Sequence, residues 1–284
     1  MAARPERVPA EEVRRRMLEA GRDLAIESGA ALTIEHLRVE EVIQRARVPR
    51  SSAYRMWPYR EEYIDDLLCY LAGDGSFFSD RPVSDPDTPS VAAKIVGANL
   101  ALLATPEGRR SLLCEVVRVT AEHNYEELTG SAKWRLHMAL VATLGSTRSG
   151  EARKRIAVAL EDSQLRSRES IVTLLSQMTG ILGVRLRDEA YTLDHMQLAG
   201  GLLVQAMALR NVQVQTVVPG AAAADNGQLD LREPRYVDGL LNTPIPGPGL
   251  NGQPGQWTLV AYAYLGLVDA FLEPDPDYTP PAAS

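Results

Sequence analysis

The sequence predicts an all-α protein in which a small N-terminal bundle precedes a larger helical domain. Three observations carry that expectation. Apolar residues recur at three- and four-residue steps through the first 210 positions. Glycine and proline fall where those patterns stop. The composition, 45% hydrophobic and 24% charged over 284 residues, supplies a core and excludes wholesale disorder.

The first helix is read from Glu11 to Ser28, where Val13, Met17, Ala20, Gly21, Leu24 and Ala25 form one face and Arg14, Arg15, Arg16 and Arg22 fall mostly elsewhere. Ser28-Gly29 ends it. Val39, Val42, Ile43 and Ala46 give a second helix of about two turns, stopped by Arg47-Val48-Pro49. Arg50 to Trp57 forms a third, equally short, closed by Pro58, and a fourth runs from near Arg60 through Leu67 and Leu71 to Gly73. This head is expected to occupy residues 1–73. Residues 74–88 are Gly-, Ser-, Asp- and Pro-rich with no periodic face, and read as a linker.

The second domain, 89–284, is expected to hold helices at about 89–104, 107–128, 131–146, 151–182 and 188–211. Residues 212–255 carry many prolines and glycines and read as a long loop, either functional or disordered. Within it, Val212 to Val218 alternates as a strand would, which allows a short hairpin. A last helix, about 256–272, precedes a Pro-rich tail.

Charge is divided unevenly. Residues 1–60 hold twelve arginines against nine acidic residues, a balance of +3, so the net −7 of the chain leaves −10 for the remainder. An acidic total therefore does not exclude a nucleic-acid partner for the head. Two cysteines, Cys69 and Cys114, each in an apolar stretch, do not make a disulfide framework and fit a reducing compartment. The N-terminal residues lack an apolar run of the kind a signal peptide has, and the sixteen residues from Trp257 to Leu272 include Asp269 and fall short of the ~20 needed to span a bilayer. A cytoplasmic protein with no membrane partner is the expectation.

Two short helices joined by a three-residue turn bury little by themselves. Their value is presentation, because the second helix of a helix-turn-helix enters the major groove with its N-terminal residues at the base edges. Helical spacing puts Arg50, Ser51, Tyr54 and Arg55 on one side of that helix, while Val48, Ala53 and Trp57 turn inward. Arginine forks reach guanine or phosphate, and Ser and Tyr hydroxyls commonly take phosphates. Tyr54 has a second reading as a core aromatic, and Arg14 to Arg16 read most simply as a solvated face.

The run from Val42 to Tyr63 resembles the DNA-binding signature of the TetR family of bacterial transcriptional regulators, Ile-Ala-x-x-Ala-Gly-Val-Ser-x-x-x-Leu-Tyr-x-x-Phe-x-x-Lys-Glu-x-Leu. Ala46, Val48, Tyr54 and Glu61 match directly, Trp57 takes the aromatic place, Arg60 the lysine place and Tyr63 the final apolar place. The likeness covers residues 11–72 by motif and the rest by length and helical character. It implies an all-helical homodimer with an N-terminal helix-turn-helix and a C-terminal domain that dimerises and binds a small effector. DNA contacts are then expected from Arg38, Arg50, Ser51, Ser52, Tyr54, Arg55, Tyr59 and Arg60. The sequence departs from the family pattern at Arg47, where glycine is usual and a left-handed backbone would cost about 1 kcal/mol. Pro49 replaces the capping serine, which suits a first helical turn whose N–H is unpaired anyway. The interval from Gly29 to Val42 is about four residues longer than usual.

The second domain is less explicit. Tyr125, Trp134, His137, Met138, Met178 and Tyr191 lie on expected helices and could line a cavity for an apolar or aromatic effector, although core packing explains them as well. No histidine pair has metal-ligand spacing, and no Gly-rich phosphate loop, Gly-x-Ser-x-Gly elbow or paired-cysteine motif is present, so no cofactor, metal or catalytic residue is assigned and an enzyme is not expected. The small and apolar helix 256–272 and the Leu198–Met207 stretch are expected to pair with their symmetry mates in a four-helix dimer interface. The alternatives are a helical small-molecule-binding or enzymatic protein whose helix-turn-helix is only a packing unit, and a DNA-binding protein without an effector.

Overall fold

The computed structural model describes residues 8–27, 37–74, 87–144, 150–217, 241 and 243–279. The protein is mostly helical, with ten α-helices and short strands among the described residues. The chain divides into two compact units, one of Met1–Pro82 with Ser131–Ser167, the other of Val83–Gly130 with Arg168–Ser284. The linker expected at 74–88, of which 75–86 lie outside the described residues and Asp87 and Thr88 open a helix, would by itself place residues 131–167 with the second domain. Their apolar positions Leu136, Leu140, Ile156 and Leu160 instead join the core of the first unit.

That first unit holds α1 (Ala10–Glu27), α2 (Val39–Ala46), α3 (Arg50–Met56), α4 (Arg60–Ala72), α7 (Ala132–Thr143) and the first half of α8 (Gly150–Leu182). Helix α1 buries Val13, Met17, Leu18, Ala20, Gly21 and Ala25, close to the expected face. It approaches α4 closely because Gly21 has no side chain, and a Cβ there would stand 2.2 Å from the Tyr63 hydroxyl. That hydroxyl donates to the Met17 carbonyl at 3.0 Å. The Tyr63 ring, fully buried, meets Trp57 edge to face with centroids 5.2 Å apart. Burial pushes the Tyr63 phenol well above its ordinary range, so it stays protonated as a donor. Of the arginines on α1, Arg15 pairs with Glu12 and Glu19 on the same helix, as a solvated face does.

The second unit is organised around α6 (Pro106–Gly130), against which α5 (Asp87–Ala98), α9 (Leu193–Val217) and α10 (Leu259–Phe271) pack. The helix expected at 89–104 breaks at Asn99, whose side chain donates back to the Ile95 carbonyl at 2.8 Å, and a 3₁₀ turn over Leu100–Ala104 follows. Thr105 then caps α6 by accepting from the Gly108 N–H at 3.0 Å, with Pro106 at the first helical position.

The later boundaries also move. Gly183, with φ +58, ends α8, and residues Val184–Leu186 form strand β1. The helix expected at 188–211 begins only at Leu193, where the Thr192 hydroxyl accepts from His195 N–H. It also continues through Val217, so the strand-like alternation from Val212 does not make a hairpin. Extending an existing helix costs less than starting a strand that has no partner. The expected loop 212–255 is thus helical at its start and paired at its end, with 218–240 outside the described residues. Strands β2 (Ile245–Pro248) and β3 (Pro254–Trp257) form an antiparallel hairpin, with Ile245 opposite Trp257 and Pro248 opposite Pro254. The buried Trp257 indole donates to the Pro248 carbonyl at 2.9 Å and holds the hairpin closed. The last helix accordingly starts at Leu259 with Thr258 as its cap, not at 256.

The Pro-rich tail is tied down as far as the described residues go. Strand β4 (Leu272–Pro274) pairs antiparallel with β1. Arg109, only 4% exposed, donates to the carbonyls of Gly183 at 3.2 Å and Asp275 at 2.9 Å and lies 4.9 Å from the Tyr278 ring centroid. Cys114 is buried in this unit and Cys69 is half-buried in the first, and burial raises both thiols above their ordinary range. No helix among the described residues is long and apolar enough to cross a membrane.

Candidate nucleic-acid interface

The turn between α2 and α3 is built on one backbone angle. Arg47 adopts φ 52, ψ 43, the left-handed conformation expected where the family pattern has glycine. This lets the Arg47 and Val48 N–H groups return to the Gln44 and Ile43 carbonyls and close α2. Pro49 then sits at the cap position, extended at φ −63, ψ 129, instead of inside the first turn, and its carbonyl accepts from Ser52 and Ala53. Val48, Ala53 and Trp57 are buried, which fixes the roll of α3 about its axis. The Trp57 indole donates to Asp66 on α4 at 3.1 Å, and Asp66 also faces Arg14 of α1 and Arg155 of α8.

With that roll set, the opposite side of α3 is outward. Arg50, Ser51, Tyr54 and Arg55 are exposed, and Ser52 is half-buried at the edge. Arg38 at the cap of α2, Tyr59 at the cap of α4 and Arg60 in its first turn are exposed as well, Tyr59 to 68%. Tyr54 is therefore not a core aromatic. Its hydroxyl donates to Glu40 Oε1 at 2.6 Å, and the Arg50 guanidinium reaches the same oxygen at 3.4 Å while lying 5.4 Å from the Tyr54 ring centroid. The Tyr54 hydrogen bond, with Arg50 nearby, holds the Glu40 carboxyl below its usual range. Sequence reasoning passed over Glu40. Its signal was an acid in the first turn of α2, the turn that the left-handed corner folds back beside α3.

The six residues expected to line an effector cavity are distributed between the two units. Trp134, His137 and Met138 lie on α7 in the first, and Tyr125, Met178 and Tyr191 in the second. Trp134 is fully buried and His137 is 4% exposed, its imidazole held down to about 4 by burial, with Gln164 at 3.5 Å from its ring. Tyr125 is buried along α6, Met178 packs at the edge of the second core, and Tyr191 meets Phe271 in a tilted ring contact with centroids 5.1 Å apart. The open cleft in the second unit, about 340 Å³, is lined by none of them. It lies between α6 and the β2–β3 hairpin, with Glu115 and Arg118 on one side and Leu250, Gln253 and Gly255 on the other. Arg118 is clamped there between Glu115 and Glu122. Among the described residues no group of three or more His, Cys, Asp or Glu is placed to hold a metal ion.

No protein-family model, curated protein or solved structure matches the chain.

Proposed function

We propose that the chain is a DNA-binding transcriptional regulator of the TetR kind, acting as a homodimer on a near-palindromic operator and released by a small effector. The observation that carries the reading is the α2–α3 corner. A left-handed Arg47 and an inward Val48, Ala53 and Trp57 turn Arg50, Ser51, Tyr54 and Arg55 outward on one short helix. This is the placement a helix-turn-helix needs to set guanidinium forks and hydroxyls against bases and phosphates. The +3 balance of residues 1–60 against −10 elsewhere favours approach to DNA by this face alone.

Dimerisation is supported by what α9 and α10 leave uncovered. Leu198, Leu202 and Leu209 on α9 are 50%, 58% and 40% exposed, and Tyr262 on α10 is 43% exposed, beside the small residues Gly266 and Ala270. Leu198, Leu202 and Leu209 follow helical spacing and form one stripe, and a second copy would cover it. For the effector, the open cleft beside Glu115 and Arg118 offers a place in the second unit. An effector acts by binding better to the dimer form that does not fit DNA.

Selection of bound duplexes from a random pool tests the reading directly. A recovered inverted repeat with half-sites about one helical turn apart or slightly more supports it, and recovery of no sequence at any salt concentration rejects it. Replacing Arg50 and Arg55 together by Ala should then weaken binding by about 1–3 kcal/mol for each base that an arginine reads, and flatten the salt dependence.

A further inference from the structure

The recognition face carries an internal acceptor. Glu40 Oε1 takes the Tyr54 hydroxyl at 2.6 Å, a length typical of a phenol on an ionised carboxylate, and the Arg50 guanidinium approaches the same atom at 3.4 Å. Arg50 also lies over the Tyr54 ring, so the three side chains form one closed set on the outward side of α2 and α3. Side-chain exposures of 69% for Arg50 and 53% for Glu40 place the set where DNA would arrive.

Resting on the DNA-binding reading, we infer that Glu40 is a specificity-determining residue: it occupies Tyr54 and Arg50 against DNA that offers only phosphates, and yields them to a sequence that meets its carboxylate with a base amino group. The reasoning is competitive. A phosphate and the Glu40 carboxylate are both anionic acceptors and seek the same donors. Binding to arbitrary DNA must take the phenol and guanidinium from Glu40 and bring that carboxylate close to the phosphates, with nothing to receive it. A cytosine N4 amino group in the groove is a donor that a carboxylate accepts from, so at a matching sequence Glu40 keeps a partner while Arg50 turns to a base or phosphate. The neighbouring Glu41 has the same charge in the same first turn of α2 and provides the control for charge alone.

The test compares wild type, Glu40→Ala and Glu41→Ala on two duplexes of about 20 base pairs, one random and one selected by the wild-type protein, at about 0.15 M salt. Glu40→Ala should bind the random duplex about tenfold tighter than wild type, and Glu41→Ala no more than about twofold tighter. The ratio of selected to random affinity should fall in Glu40→Ala only. In a Tyr54→Phe background the effect of Glu40→Ala should shrink, because the hydroxyl that Glu40 competes for is gone. Equal effects of the two Glu variants, an unchanged ratio, or an undiminished effect in Tyr54→Phe would overturn the inference. Failure of the wild type to bind any duplex, even at low salt, would instead remove the DNA-binding reading and this inference together, and it shows before any variant is made. Unfolding midpoints confirm the fold of each variant, and Glu40→Gln replaces Glu40→Ala if that variant is unstable.

Discussion

The Trp57 indole nitrogen donates to the Asp66 carboxylate at 3.1 Å, and this hydrogen bond joins the end of α3 to the middle of α4. Trp57 is 5% exposed, so the donor has no water to fall back on. Asp66→Ala should therefore cost about 1–3 kcal/mol in urea unfolding, whereas Asp66→Asn keeps an acceptor and should cost less. The same order should appear in DNA affinity, since the indole fixes the roll of α3. A DNA affinity that Asp66→Ala leaves untouched would show that α3 is positioned without it.

The α9 stripe makes a prediction about assembly. Sedimentation of the wild type at micromolar concentration should give a dimer, and Leu202→Glu, which places a charge at a position 58% exposed in the single chain, should give a folded monomer. A dimer that persists in Leu202→Glu would locate the interface elsewhere.

His137 predicts an acid sensitivity with a definite sign. Its folded value, about 4, lies below the ordinary imidazole value near 6.5, so the unfolded chain binds a proton that the folded chain refuses. Stability from this group is intact above about pH 6.5 and declines as pH falls from there toward 4, by up to about 3 kcal/mol. His137→Gln removes the titration, and its unfolding free energy should decline less between neutral pH and about pH 4.5. Parallel declines in the two proteins would contradict the assignment.

Arg109 makes the C-terminal segment part of the second core. Arg109→Met would remove the guanidinium that bridges the Gly183 and Asp275 carbonyls, leaving each only its backbone donor, at a cost of about 1.5–3 kcal/mol, and should open residues 272–279 to proteolysis. Gly183→Ala should act on the same latch from the other side. Its Cβ would stand 2.4 Å from the Tyr278 ring, at a φ that a side chain disfavours. Cleavage of the tail at the wild-type rate in both variants would show that β4 alone retains it.

Much of the first unit was legible because its signals are local. The α1 face, the stop at Arg47-Val48-Pro49 and the inward Ala53 and Trp57 all follow from helical spacing and from breakers within a few residues. What was not legible depends on distant partners. Residues 245–255 read as loop, and 256–257 as the start of a helix, because prolines and glycines hide a hairpin that Trp257 closes through a hydrogen bond to Pro248. The strand Val184–Leu186 is invisible without Leu272–Pro274, which lies far along the chain. The recruitment of 131–167 to the first core was equally hidden, since Leu136 and Ile156 look alike whichever core they enter. At the candidate site the outward arginines could be read from spacing, but Glu40 could not, because its role depends on how the Arg47 turn sets α2 beside α3.

The two cysteines give each compact unit its own reporter. Cys69 belongs to the first and Cys114 to the second, and burial raises both thiols, so each is a poor nucleophile while its surroundings are closed. Alkylation rates followed peptide by peptide in the intact chain would then count the opening events of each unit separately, with no mutation or attached dye. A DNA duplex that slowed modification at Cys69 and left Cys114 unchanged would identify, in reaction rates, the unit that the duplex stabilises.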